Sequence, residues 1–162
     1  MVYIIAGATG VVGSAISKEL AKENEVHLIG RDEEKLSALS KEIDAQYSVI
    51  DLTNTIEQRE FSKIIPDDQE IKGLVNCIGS ILIIPLHGTK TEEFEEVLRV
   101  NLFSSYYLLS SFARRMKNGS AIFFSSVAGT KGLSNHEAIA AAKAGFWLLY
   151  TSPSPRDSDQ SR

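Results

Sequence analysis

Short apolar runs alternate along this chain with longer stretches in which apolar positions recur every three or four residues. The runs at 2–6, 25–29, 46–50, 72–77 and 120–125 predict strands. The stretches at 11–23, 33–43, 55–64, 92–117 and 135–149 predict amphipathic helices between and after them. Strands that are apolar throughout, rather than every second residue, are buried on both faces. Alternating with helices, they imply an α/β fold with a doubly wound parallel sheet. Asp32 is placed to cap the second helix, with Glu33 and Glu34 in its first turn, and Thr91 to cap the fourth, followed by Glu92 and Glu93.

The first strand runs straight into Gly7-Ala8-Thr9-Gly10-Val11-Val12-Gly13 and then a helix. A strand, a glycine-rich turn and a helix in that order form a phosphate cradle. Gly7 permits the tight turn, Gly10 lets backbone approach a pyrophosphate, and Gly13 lets the helix pack close on the strand. The first N–H groups of the helix, at the positive end of its dipole, then face the phosphates. An ordinary strand-to-helix turn is the alternative, and the position of the motif in the first βα unit favours nucleotide binding.

Composition narrows the picture further. The 162 residues suit one domain, with 43% hydrophobic and 23% charged positions. A net charge of −4 with no basic stripe argues against nucleic acid as a partner. Cys77 is the lone cysteine, which excludes an internal disulfide and fits a reducing compartment. No apolar run reaches the ~18 residues needed to span a bilayer, so neither membrane nor metal is expected and the expected compartment is the cytoplasm. The tail differs from the rest. From Leu148 to Asp157 it resembles the conceptual translation of a transposase sequencing adaptor, so the native domain is expected over 1–147 and a non-native tail over 148–162. A disordered natural C-terminus is the alternative.

Further motifs give the chain a recognisable likeness. Besides the glycine turn these are Asp51-Leu52-Thr53, Asn76-Cys77-Ile78-Gly79, Asn101, Ser125-Ser126-Val127-Ala128-Gly129 and Ala140-Ala141-Ala142-Lys143-Ala144-Gly145. In this order and spacing they resemble the short-chain dehydrogenase/reductase family from Met1 to about Trp147. The resemblance implies a Rossmann-like sheet of order 3-2-1-4-5, truncated before the family's last strands. It also implies adenine contact at Asp51, a cofactor lining at Asn76 and Gly79, and catalytic roles for Asn101, Ser126 and Lys143. Thr9, Val12 and Leu52 fall beside the cofactor in the same likeness, and Lys143 holds its ribose. The expected protein is a homo-oligomeric oxidoreductase passing hydride between nicotinamide and a small carbonyl or alcohol.

Charge indicates which cofactor. Enzymes that prefer NAD place an acid at the end of the second strand, against the ribose 2′-hydroxyl. Here that place holds Gly30, and Arg31 follows, whose planar fork suits a 2′-phosphate. NADP is therefore expected, with NAD possible if Arg31 is only a solvated surface charge.

One departure from the family pattern stands out. The tyrosine expected four residues before Lys143 and thirteen after Ser126 is Ile139 by both counts. An isoleucine transfers no proton, and a positioned general acid contributes about 10²–10⁴-fold. His136 lies seven residues before Lys143, and seven steps of ~100° fall within about 20° of two full turns. It is the candidate substitute donor; a surface residue beside a capping Asn135 is the alternative. A nucleotide-binding protein without turnover, or a fragment without function, is the alternative for the whole chain. Ser125 is expected to point away from Ser126, Cys77 to be a small core residue, and 81–85 to contact an apolar substrate or cover the sheet edge.

Overall fold

The computed structural model describes residues 1–54, 61–116 and 118–151. Contacts group them into two compact units, Met1–Ser80 with Phe103–Phe124, and Ile81–Leu102 with the chain from Ser125. The first unit holds a five-stranded parallel sheet of order β3-β2-β1-β4-β5. Its strands are β1 (Val2–Ala6), β2 (Glu25–Gly30), β3 (Gln46–Val49), β4 (Ile71–Asn76) and β5 (Ser120–Phe123). The α-helices bounded within the described residues are, in chain order, α1 (Val11–Leu20), α2 (Glu33–Ile43), α3 (Thr91–Leu98), α4 (Ser104–Phe112) and α5 (Glu137–Thr151).

The apolar runs work as predicted because successive side chains enter opposite faces. Ile4, Ala6, Ile29 and Leu74 pack with Phe61, Ile65, Leu108 and Phe112 in one cluster. Ile5, Val26, Leu28 and Val75 pack with Leu36 and Leu39 in the other. At residues 55–64 the expected helix lies mostly outside the described residues; Phe61 and Ile65 are fully buried, and the Phe61 ring meets that of Phe112 edge-on at 4.9 Å.

Three helix ends differ from expectation. The single helix expected over 92–117 is α3, a π-helical segment (Arg99–Phe103), α4 and a 3-10 turn (Ala113–Arg115). Lys90, not Thr91, takes the cap position of α3, because the Glu93 carboxylate accepts the Lys90 backbone N–H at 3.0 Å and holds the turn there. Asn135 does not cap α5: its φ of 63° is left-handed, and the His136 carbonyl accepts the first helical bond from Ala140 at 2.8 Å. At the other end α5 continues through Thr151, so 148–151 are helical. No helix among the described residues is long and apolar enough to cross a membrane.

Inside β2, His27 is buried, with Nε2 2.8 Å from the Ser48 hydroxyl of β3. Burial disfavours the imidazolium and pushes its pKa down to about 4. Below pH ~6.5 the unfolded chain takes up a proton that the folded chain refuses. Stability therefore falls as pH drops from about 6.5 to 4, by about 2–3 kcal/mol in full. Urea melts across that range should show the slope, and His27→Asn should flatten it; an unchanged slope in the variant removes His27 as the cause.

Candidate active site

The first unit carries the phosphate turn. Gly7 has φ of 73°, and the N–H groups of Gly7 and Ala8 both donate to the Ile29 carbonyl, at 2.9 and 3.1 Å. A Cβ at Gly13 would lie 2.2 Å from the Gly7 carbonyl oxygen, so α1 starts against the turn only because Gly13 lacks one. Gly10 caps α1 from an extended conformation, with no side-chain bond to the helix and no acid in the first turn. That leaves a helix N-terminus uncapped by protein side chains and electrically suited to an anion. Val11 is 91% exposed and Val12 half exposed at its mouth, while Thr9 is partly buried.

At the far end of β2, Gly30 is buried against Leu36 and Asp32 caps α2, accepting the Lys35 N–H at 3.0 Å. Arg31 projects outward with Nη1 3.7 Å from Asp51 Oδ2. The other Asp51 oxygen accepts both the N–H (2.8 Å) and the hydroxyl (2.7 Å) of Thr53. This is an Asx-turn, legible in Asp-x-Thr, whose threonine sequence reasoning left without a role. Leu52 between them is buried in the core, so only its backbone can face a ligand.

Asn76 ends β4 with its side chain fully engaged. Its Oδ1 accepts the Ile78 N–H at 2.9 Å, and its Nδ2 donates to Ser105 at 2.9 Å and Ser104 at 3.3 Å. These serines, at the start of α4, were missed in the sequence. Asn76 thus fixes the turn leading to exposed Gly79 rather than reaching outward. Cys77 behaves as the expected small residue, its thiol pushed up to about 11 by burial.

The second unit carries the other candidates. Ser126 is extended, and its Oγ accepts the Ala128 N–H at 3.2 Å, starting a 3-10 turn (Val127–Gly129). Ser125 is exposed. That turn packs on α5 at the lysine itself: a Cβ at Gly129 would sit 3.0 Å from the Lys143 Cβ. Lys143 is buried, and desolvation lowers its pKa from the ordinary lysine value. Asn101 is buried in the π-helical segment, its Nδ2 donating to the Val97 carbonyl at 3.0 Å. Ile139 is 3% exposed, packed with Val97, Ala128, Ala138 and Ala142. His136 precedes it by one turn, with Nδ1 2.7 Å from the Ser134 carbonyl. A carbonyl only accepts, so Nδ1 carries the proton of this bond and Nε2 is the ring nitrogen left for a further partner.

A family model described as short chain dehydrogenase matches residues 1–153. The chain is 30% identical over 149 residues to the 3-oxoacyl-(acyl-carrier-protein) reductase FabG of Rickettsia bellii, covering 88% of this chain and 61% of that protein. Its fold matches a metagenomic short-chain oxidoreductase solved in complex with NADP, at TM-score 0.86 and 32% identity, over 94% of this chain and 74% of that one. An alcohol dehydrogenase from Thermococcus sibiricus, complexed with 5-hydroxy-NADP, shares the fold at TM-score 0.85 and 24% identity, over 91% and 67% of the two chains. The protein belongs to the short-chain dehydrogenase family, and it spans 61% of the length of the curated FabG relatives it matches.

Proposed function

We propose that this protein is an NADP-dependent oxidoreductase that interconverts a small carbonyl compound and its alcohol, as a cytoplasmic homo-oligomer. The phosphate turn carries the reading: an uncapped α1 N-terminus so near Gly7 that a Cβ at position 13 would lie 2.2 Å from the Gly7 oxygen, which only glycine avoids. The residues fit a dinucleotide. The N–H groups of Val11, Val12 and Gly13 hold the pyrophosphate, Arg31 the 2′-phosphate and Asp51 the adenine amine, beside Thr9, Gly10 and the Asn76–Gly79 turn. The nicotinamide, when bound, gives or takes hydride. Support for NADP over NAD comes from Gly30 and Arg31, and from the NADP-bound relative at 32% identity.

Roles in the chemistry follow from each group's surroundings. Ser126 bonds the substrate oxygen through its hydroxyl. Lys143, easier to deprotonate than an exposed lysine, holds the ribose and supports proton movement. Asn101 holds a water. In place of the missing phenol, His136 gives its Nε2 proton to the oxygen, with Nδ1–H anchored on Ser134.

NADPH oxidation against a panel of carbonyls tests the reading. His136→Ala should lower turnover by about 10²-fold with little change in cofactor affinity. Ile139→Tyr should raise reduction, at a cost of about 1–3 kcal/mol for overpacking a closed apolar site. Unchanged turnover in His136→Ala removes the histidine from the mechanism. Folded wild type and Ile139→Tyr that bind NADPH but reduce nothing would identify a nucleotide-binding protein instead.

A further inference from the structure

Two cations stand at the carboxyl end of β2, and each faces a carboxylate. Lys35 Nζ is 2.8 Å from Asp32 Oδ2, and Arg31 Nη1 is 3.7 Å from Asp51 Oδ2. Asp32 is committed as the α2 cap, so Asp51 is the acid placed to compete for Arg31. Thr53 grips Asp51 Oδ1 with two bonds, which turns Oδ2 toward the guanidinium.

The proposed function gives these two residues separate tasks, and the present inference rests on that reading. We infer that the Arg31–Asp51 pair is a selector that adenosine ligands must exchange. The adenine amine takes over Asp51 Oδ2 as Arg31 leaves, and a ribose 2′-phosphate receives Arg31 in a charge-assisted, forked contact. A 2′-hydroxyl offers the guanidinium no equivalent anion. An unphosphorylated adenosine therefore breaks the ion pair without replacing it, so the pair disfavours NAD while Arg31 favours NADP. Selectivity built this way contains a repulsive half as well as an attractive one. With Arg31 73% exposed the pair is weak, and its release is worth about 2- to 5-fold in affinity.

Calorimetric titration of the full chain with 5′-AMP and with adenosine 2′,5′-bisphosphate separates the two halves. Wild type should bind the bisphosphate more tightly. Arg31→Ala should weaken the bisphosphate by about 10-fold or more and tighten 5′-AMP by about 2- to 5-fold. In the Asp51→Asn background, Arg31→Ala should leave 5′-AMP affinity unchanged, because no pair remains to be broken. A 5′-AMP affinity that stays level or falls in Arg31→Ala overturns the exchange while leaving the NADP reading intact. So does a gain that persists in the Asp51→Asn background. Equal affinity of wild type for both probes overturns the NADP reading itself, and a folded chain that binds neither overturns both.

Discussion

Gly13→Ala should destabilise the protein by at least about 3 kcal/mol, whereas Gly10→Ala should leave its stability within about 0.5 kcal/mol. The Gly13 methyl would meet the Gly7 oxygen at 2.2 Å and the Ala8 Cα at 2.9 Å, all of it backbone that cannot rotate away. At Gly10 the nearest atom to an added Cβ is 3.4 Å distant, and φ of −74° suits any residue. The two glycines therefore do different work. Gly13 lets the helix reach the strand, and Gly10 leaves room above the turn for a ligand. Urea melts should separate them by stability, and titration with NADPH should show the folded Gly10→Ala variant binding at least about 10-fold more weakly. Unimpaired binding by that variant would mean that the pyrophosphate does not approach position 10.

Arg115→Lys should cost about 3–4 kcal/mol, as much as many core truncations. The guanidinium binds four backbone carbonyls of the segment entering β4: Ser62 and Ile65 through Nη1, at 3.3 and 3.0 Å, Gln69 through Nη2 at 3.3 Å, and Pro66 also through Nη2. It also lies over the Phe112 ring, 5.8 Å from its centroid, and 3.9 Å from Asp67. An ammonium has neither the reach nor the fork to satisfy both pairs of carbonyls. Thermal and urea melts of Arg115→Lys check this; a loss under about 1 kcal/mol would show that water replaces those bonds.

How much of this was legible beforehand depended on whether the signal was local. The strands and the two-faced core follow from runs such as Ile4 to Ala6, because burial on both faces leaves no polar position. The boundaries of β1 and α2 were read without error: the glycine turn ends the first and the Asp32 cap begins the second. The break in the helix expected over 92–117 was not, since apolar spacing continues through a π turn with no glycine or proline to mark it. Partnerships across elements were also hidden. Asn76 meets serines 28 and 29 residues away, and Arg115 reaches carbonyls about 50 away, and neither leaves a periodic trace. The likeness of motifs supplied Ser126, Lys143 and Asp51 as candidates but could not show that Asp51 already faces Arg31.

The π-helical segment also constrains how this sequence can change in length. A π turn carries one residue more than an α turn over a similar rise. Loss of one residue between Arg99 and Phe103 would convert the segment to regular helix, and because the π turn is what absorbs that residue, the helix after it would keep nearly the same phase. Ser104 and Ser105 would keep their bonds to Asn76, and Leu108 and Phe112 their places in the core. The extra residue is thus a position the chain can lose without turning α4, whereas the same loss within α4 itself would swing the side chains after it by about 100°.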